Sequence, residues 1–268
     1  MTPGPADLDG AGLRCDLDLP LPGAVTVTLS RPSRRNAMTP RMWRGLAAIG
    51  KSLPPEVRVV VIRGEGPSFS SGIDLRLLSG DGAAGDDAIP SPADPGFEDW
   101  IASCQEGFSW LRHPSLLSVA AVRGHAIGAG FQLALGCDLR ILADDAMLSI
   151  KEPSLGLVPD LMGTKPLVDI VGLPRALELC LTGRAVTAAE AVQLGLAELM
   201  VPVTALDGAV ADLAAALLAV DPATARATKE LLARAAGNTL EEQAAAERRA
   251  QAALLRARLS GQPGLGTA

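Results

Sequence analysis

An α/β fold, with strands connected through helices, follows from three features of this sequence. Short β-branched runs alternate with helical patterns through the first half, Ala- and Leu-rich stretches beyond Thr187 repeat at helical spacing, and the interior must be built from aliphatic side chains. Apolar residues make up 48% of the 268, but aromatics only 3%, and Tyr is missing altogether. Ala, Val, Leu and Ile therefore have to fill the core. A chain of this length supports one sizeable core with a helical appendage rather than two independent domains. The expected division is a core over residues 1–200 and a helical region over 201–268.

The elements can be justified in order. Residues 23–30 (GAVTVTLS) alternate apolar and polar side chains as a strand, which stops at Arg31-Pro32. Thr39-Pro40 supplies an N-cap and a proline for the first helical turn, and Met42, Leu46, Ile49 and Leu53 follow at helical spacing. Residues 57–63 (VRVVVIR) are an apolar run of buried-strand length, closed by the turn Gly64-Glu65-Gly66-Pro67. Residues 78–97 are rich in Gly, Asp and Pro, a composition that buries little. They are expected to form a mobile loop, either an active-site lid or a plain surface connection. Residues 117–122 form the next strand, which runs into Gly124-His-Ala-Ile-Gly-Ala-Gly130 and an apolar helix over 131–136. Two short strands at 139–142 and 147–150, helices at 163–171 and 175–181, and further helices at 187–196, 204–220, 222–235 and 239–259 complete the reading. No internal repeat stands out.

Composition excludes several function classes. The net charge is −6, from 24 basic and 30 acidic residues, and no basic stretch is interleaved with aromatics, so nucleic acid is not an expected partner. The first ten residues lack a basic segment followed by an apolar run, and the chain has no run of roughly 18 apolar residues, so a cytoplasmic protein with no membrane partner is expected. Cys15, Cys104, Cys137 and Cys180 are far apart without a C-x-x-C pair, which argues for reduced thiols rather than a zinc site or a disulfide framework. His113 and His125 are the only histidines, and without a G-x-S-x-G elbow they do not suggest a Ser-His-acid hydrolase. No metal site is expected. His125, lacking an identified carboxylate partner, is read as structural.

Two segments can carry chemistry together. Phe69-Ser-Ser-Gly72-Ile73-Asp74 and residues 124–130 each place a glycine-containing turn before an expected helix, and helix N-termini leave backbone N–H groups unpaired. Two such termini converging on one point would form an oxyanion hole, stabilising charge on a carbonyl oxygen with fixed dipoles. The alternative is that both are ordinary strand-to-helix connectors. A dinucleotide fingerprint is not matched.

Thr28-Leu-Ser-Arg-Pro32, Arg35-Asn-Ala-Met38, Phe69-Ser-Ser-Gly-Ile-Asp74, Gly124-His-Ala-Ile-Gly-Ala-Gly130, Cys137-Asp138 and Glu152-Pro-Ser-Leu-Gly156 resemble, in order and spacing, the successive motifs of the enoyl-CoA hydratase/isomerase (crotonase) family. The resemblance spans residues 20–260. It implies the crotonase (ClpP/crotonase-like) spiral fold of ββα turns with a helical C-terminal trimerisation region, a homotrimer or a hexamer made as a dimer of trimers, and an acyl-CoA substrate. No cofactor is implied beyond the coenzyme A of that substrate. By position, the amides of Ile73 and Ala129 are the two oxyanion donors. Ala129 stands where the family commonly has Gly, and its N–H survives the change if Ala can adopt the backbone angles. The resemblance also assigns Arg34, Arg35, Ala37, Ser71, Asp74 and Leu75 to the coenzyme A groove. Lys229 is assigned to a coenzyme A phosphate of a neighbouring subunit.

Hydratases of the family use two glutamates, and this chain departs from that pattern. The first position is Gln132, which can hold water but cannot accept a proton from it; the second is Glu152. Asp160 stands where many hydratases have Gly. Related dienoyl-CoA isomerases carry an acid there, and an aryl-CoA dehalogenase carries its nucleophile. Glu152 and Asp160 flanking an acyl chain would favour double-bond migration over hydration, and burial with mutual repulsion would raise a carboxyl pKa toward the working range. The bland alternatives are that Asp160 caps the helix beginning near Gly163, that Glu152 pairs with Lys151 or Lys165, or that the protein binds acyl-CoA without turnover. Trp100, Phe97 and Phe131 are candidates for the acyl pocket.

Overall fold

The computed structural model describes residues 5–16, 21–79 and 85–260. In chain order, α1 (Pro5–Gly10) and β1 (Leu13–Asp16) precede β2 (Ala24–Leu29), which leads into α2 (Pro40–Ser52). β3 (Val59–Gly64) leads into α3 (Arg76–Ser79) and α4 (Phe97–Ser109), and β4 (Leu117–Val122) with β5 (His125–Ile127) leads into α5 (Ala129–Gly136). β6 (Leu139–Ala143) and β7 (Met147–Ser149) lead into α6 (Thr164–Thr182). β8 (Val186–Thr187), α7 (Ala188–Gln193) and β9 (Leu199–Val201) come before α8 (Leu206–Ala219), α9 (Pro222–Ala235) and α10 (Leu240–Leu259).

The main sheet has the order β1-β2-β3-β4-β6-β9, antiparallel between β1 and β2 and parallel thereafter. Alternate residues of its central strands serve two cores, as the period of two requires. Val60, Ile62, Ala120 and Val122 point into the larger core with Met42, Leu46 and Ile49 of α2 and Phe108 of α4. Val59, Val61, Val119 and Ala121 face Leu206, Val210 and Ala214 of α8. This double burial is why residues 57–63 read as a continuous apolar run.

After β2, β3, β4 and β6 the chain makes a shorter pairing in a second layer. There β5, β7 and β8 form a three-stranded sheet, and single parallel bridges join Ser70 to Ala126 and Met38 to Ile73. Strand, second strand, helix is thus the repeating turn, and the expected crotonase spiral of ββα turns is present. Thr39 caps α2 by accepting from Met42 N at 3.3 Å, with Pro40 opening the helix. In α6, Gly172 takes φ 73 and ψ 160, which separates two helical halves as the two patterns at 163–171 and 175–181 require.

The structure contains elements that the sequence reading did not, among them α1, β5 and β8. β9 lies in the region beyond Thr187 read as almost wholly helical, because three residues are too few for alternation to register. β1 and α4 are likewise unmarked by patterning. Residues 80–84 of the glycine-rich stretch lie outside the described residues, but nearby Asp87 Oδ1 accepts from Arg41 N at 3.1 Å. No single helix among the described residues is long and apolar enough to cross a membrane.

Lys229, on α9, fastens the C-terminal region to the sheet. Its ammonium donates to Asp138 Oδ2 at 2.7 Å, Leu116 O at 2.6 Å and His113 O at 3.0 Å, which uses all three N–H donors. Asp138 Oδ2 also accepts from Ser118 N at 2.9 Å and Ser118 Oγ at 3.1 Å. The pair is largely withdrawn from water, at 11% and 16% side-chain exposure. Removing one partner leaves a desolvated charge, so Lys229→Met is expected to cost about 3 kcal/mol in urea denaturation. A loss below about 1 kcal/mol would mean that the pair behaves as a solvent-screened surface contact.

Candidate active site

The site lies where the second-layer turns meet. Ser70 N donates to His125 O at 2.8 Å and Ile127 N to Ser70 O at 2.9 Å, so the turn after β3 is stitched to β5. Asn36, fully buried at φ 54, holds the same turn from the other side. Its Nδ2 donates to Glu65 O at 2.9 Å and Ser68 O at 2.8 Å, while its Oδ1 accepts from Arg31 N at 2.9 Å. Asn tolerates this left-handed backbone better than most residues. Asn36 belongs to the Arg35-Asn-Ala-Met38 motif, but its role is visible only when both turns are in place.

Two glycines permit the close approach. At Gly72, φ is 87, and a Cβ would stand 2.7 Å from Ile127 O and 3.7 Å from Ala129 N. At Gly128, φ is 52 and ψ −121, and a Cβ would meet Glu152 Oε1 at 3.1 Å. Ala129 opens α5, so its amide is among the first-turn donors without an intrahelical acceptor. The amide of Ile73 is freed differently from the helix-terminus expectation, since α3 begins only at Arg76. In the parallel bridge, Met38 N donates to Gly72 O at 2.7 Å and Asp74 N to Met38 O at 2.9 Å. Ile73's own N–H consequently faces the opposite edge, and no acceptor among the described residues takes it.

Ile73 and Ala129 line two adjoining cavities, together with Glu152 and Leu157. The first, of about 280 Å³, is walled by Trp43, Leu78, Ile89, Phe97, Trp100, Ile101, Cys104, Val158, Asp160 and Leu161. Among the described residues, its only carboxylates are Glu152 and Asp160. Phe97 and Trp100 stack one turn apart on α4, with ring centroids 5.5 Å apart and planes 18° from parallel. Phe131 is not in the wall; it is buried in the larger core. Burial pushes the Cys104 thiol up to about 11, so it is neutral and behaves as an apolar wall group. The second cavity, of about 240 Å³, adds Ser71, Gly72, Leu75, Gly128, Lys151, Ser154 and Leu155.

The predicted coenzyme A residues divide among three places. Ser71 and Leu75 line the second cavity. Arg34 and Arg35 are exposed, and their carbonyls accept from Ser71 Oγ at 3.4 Å and Ser71 N at 2.9 Å, which puts this turn beside the cavity rim. Ala37 is buried behind it, its carbonyl taken by Arg31 Nη1. Asp74 is buried and holds Arg76 through Nε at 2.9 Å and Nη2 at 2.7 Å, and Arg31 at 3.1 Å. These guanidinium partners, Arg76 foremost, hold its carboxyl far below the usual range, so Asp74 braces the rim. Lys229 is not brought to either cavity within the chain.

Glu152 sits in the 3-10 turn Glu152–Leu155 after β7 and is buried. Burial raises its pKa, with a smaller upward push from Asp160, although hydrogen bonds from Gln132 and the chain oppose this. Asp160 is also raised, by desolvation. It does not cap α6, whose N-cap residue is Gly163 with no side-chain cap bond. Glu152 bonds neither Lys151 Nζ nor Lys165: Lys151 Nζ donates to Gly183 O, and Lys165 pairs with Asp169. His125 is exposed, with Nδ1 3.5 Å from Ser68 Oγ, and lines neither cavity. All four cysteines are free, and no cluster of three or more His, Cys, Asp or Glu among the described residues could hold a metal ion.

Two parallel-bridged turns, two backbone amides bordering the same space and a carboxyl-bearing apolar cavity thus come together on a crotonase spiral. Residues 22–260 match the family model for enoyl-CoA hydratase/isomerase, and the chain belongs to that family of enzymes. It is 31% identical over 225 residues to a protein named "Probable enoyl-CoA hydratase" from Mycobacterium tuberculosis, covering 83% of this chain and 82% of that one. It is 32% identical over 222 residues to the peroxisomal Delta(3,5)-Delta(2,4)-dienoyl-CoA isomerase of Arabidopsis thaliana, covering 80% and 78%. A Thermobifida fusca YX crystal structure in complex with CoA, provisionally named an enoyl-CoA hydratase, superposes with a TM-score of 0.92. It is 56% identical over 97% of this chain and 99% of that one.

The raised Glu152 pKa has a sign that stability measurements can read. A carboxyl raised in the folded state is harmless below the unfolded-state pKa and lowers stability as pH rises through the folded value. Glu152→Gln removes that ionisation, so its melting temperature relative to the parent should climb from pH 4 to pH 8. A flat difference across this range would mean that burial does not disfavour the Glu152 anion.

Proposed function

We propose that the chain moves a carbon–carbon double bond within an enoyl- or dienoyl-CoA thioester. The observation that carries this reading is that Glu152 and Asp160 share one apolar cavity, whereas Gln132, where hydratases keep a second glutamate, is fully buried and bonded to protein groups. In this reading the thioester carbonyl lies at the junction of the two cavities and accepts from the amides of Ile73 and Ala129. Removing a proton from the acyl chain pushes electrons onto that oxygen, where fixed N–H dipoles stabilise the enolate more than the ground state. Glu152 takes the proton and Asp160 returns one at another carbon, both tuned by burial toward neutral pH.

The coenzyme A part of the intact thioester extends along Ser71 and Leu75, with Arg34 and Arg35 available to its phosphates, Ala37 behind them and Asp74 bracing the turn. That the Thermobifida fusca neighbour was solved in complex with CoA supports a coenzyme A ligand. Hydration of a 2-enoyl-CoA is the second reading, favoured by the hydratase names of the mycobacterial and Thermobifida relatives. Assembly into trimers, or dimers of trimers, is supported by α9 and α10, which bury no residue within the chain and expose Leu232, Leu240, Leu255 and Leu259. Light scattering should accordingly give a mass that is a multiple of three chains; a monomer would sink this assembly.

A panel of enoyl- and dienoyl-CoA thioesters followed by ultraviolet absorbance tests the reaction. Conjugation should change without water uptake, and Glu152→Gln and Asp160→Asn should each lower the rate by about 100-fold or more. Undiminished turnover in Glu152→Gln would remove Glu152 from the mechanism. Formation of a 3-hydroxyacyl-CoA as sole product would replace isomerisation with hydration, and saturable binding without any product would make the chain an acyl-CoA carrier.

A further inference from the structure

Gln132 is fully buried, and its side-chain partners dictate the orientation of its amide. Leu161 N at 2.9 Å and Gly163 N at 3.2 Å both point at one atom, and because backbone N–H groups only donate, that atom is Oε1. The NH2 group is thereby turned to Glu152 and donates to its Oε1 at 2.6 Å. Gly163 is needed for the approach, since a Cβ there would stand 2.6 Å from Gln132 Cγ. Met162, between the two donating amides, is held at φ 66, a conformation that costs energy for a side chain of its size. One side chain therefore fastens the segment carrying Asp160 to the carboxyl of Glu152.

We infer that Gln132 is a positioning residue that holds Glu152 Oε1 permanently as an acceptor, so the proton exchanged with the acyl chain is carried on Oε2. In a protonated carboxyl the carbonyl oxygen is the stronger acceptor, and the shorter contact, 2.6 Å from Gln132 against 3.0 Å from Lys151 N, assigns that role to Oε1. Oε2 accepts from Lys151 N, at 3.0 Å, and the main chain of Glu152 itself also hydrogen-bonds the carboxylate. Asp160 and Cys180 are the ionisable groups that interact with this carboxyl from the segment before α6 and from α6 itself, while neighbouring Lys151 turns its ammonium to Gly183 O. A carboxylate at position 132 would face Glu152 across the same short contact. The two would share one proton rather than supply a second independent base.

The inference rests on Glu152 as the acid/base group, and its test separates the two ideas. Difference infrared titration reads the protonated carboxyl band that disappears in Glu152→Gln, whether or not Glu152 takes part in turnover. Gln132→Glu keeps an acceptor for Leu161 N and Gly163 N, and should move the midpoint of that band upward by at least about one pH unit. The acid limb of kcat should follow, with KM for the acyl-CoA changed less than the rate. Gln132→Met removes the donor to the Glu152 anion and should move the midpoint in the same direction; if it fails to fold, Gln132→Glu decides alone. A Glu152 midpoint unmoved in Gln132→Glu would overturn the inference. Failure of Glu152 as acid/base would instead appear as undiminished turnover in Glu152→Gln.

Discussion

The hydrogen bonds that tie the turn after β3 to β5 are the constraint on which the site depends. Ser70 exchanges main-chain bonds with His125 and Ile127, and Ile73 is bridged to Met38 through its neighbours Gly72 and Asp74. Pairing in a parallel bridge commits alternate groups, so the residues on either side of Ile73 are satisfied while its own N–H is left facing outward. Gly72 and Gly128 allow the two turns to come close enough for that N–H and the first amide of α5 to border the same space. Unpaired backbone donors normally count against a fold. Here they border two cavities, where in the proposed reading the thioester oxygen accepts from them.

Around this junction, charge is arranged by burial more than by ion pairing. Asp74 is buried with two guanidinium partners and stays ionised, bracing the rim. Glu152 and Asp160 have no cationic partner of that kind and are pushed toward the neutral form. A carboxyl thus stays ionised as a strut in one environment and is pushed toward the neutral form in the other, with desolvation and partner geometry making the difference.

Much of this was legible in the sequence. The strands at β2, β3, β4 and β6, the Thr39 cap and the split of α6 follow from alternation, turn residues and a proline, all of them local signals. β1, β9 and α4 were not legible, since short edge strands and a helix that buries only Cys104, Gly107 and Phe108 carry little periodic contrast. Within the site, the ordered motifs located Ile73, Ala129, Glu152 and Asp160, and Phe97 and Trp100 were recognisable as pocket aromatics. Trp43, Ile101 and Cys104 were missed because they are ordinary apolar positions of α2 and α4 until those helices meet. The bonds from Leu161 and Gly163 to Gln132 span 29 and 31 residues, and no local pattern encodes them.

The distal wall of the larger cavity comes from separate pieces of chain: Trp43 on α2, an α4 face carrying Phe97, Trp100, Ile101 and Cys104, and the stretch through Val158 and Leu161. None of these wall residues borders the smaller cavity. Drift in those helices alone would therefore reshape the larger cavity and leave the smaller one and the junction between them as they are. Diversification of such a scaffold would be modular, with the grip inherited and the cargo space renegotiated.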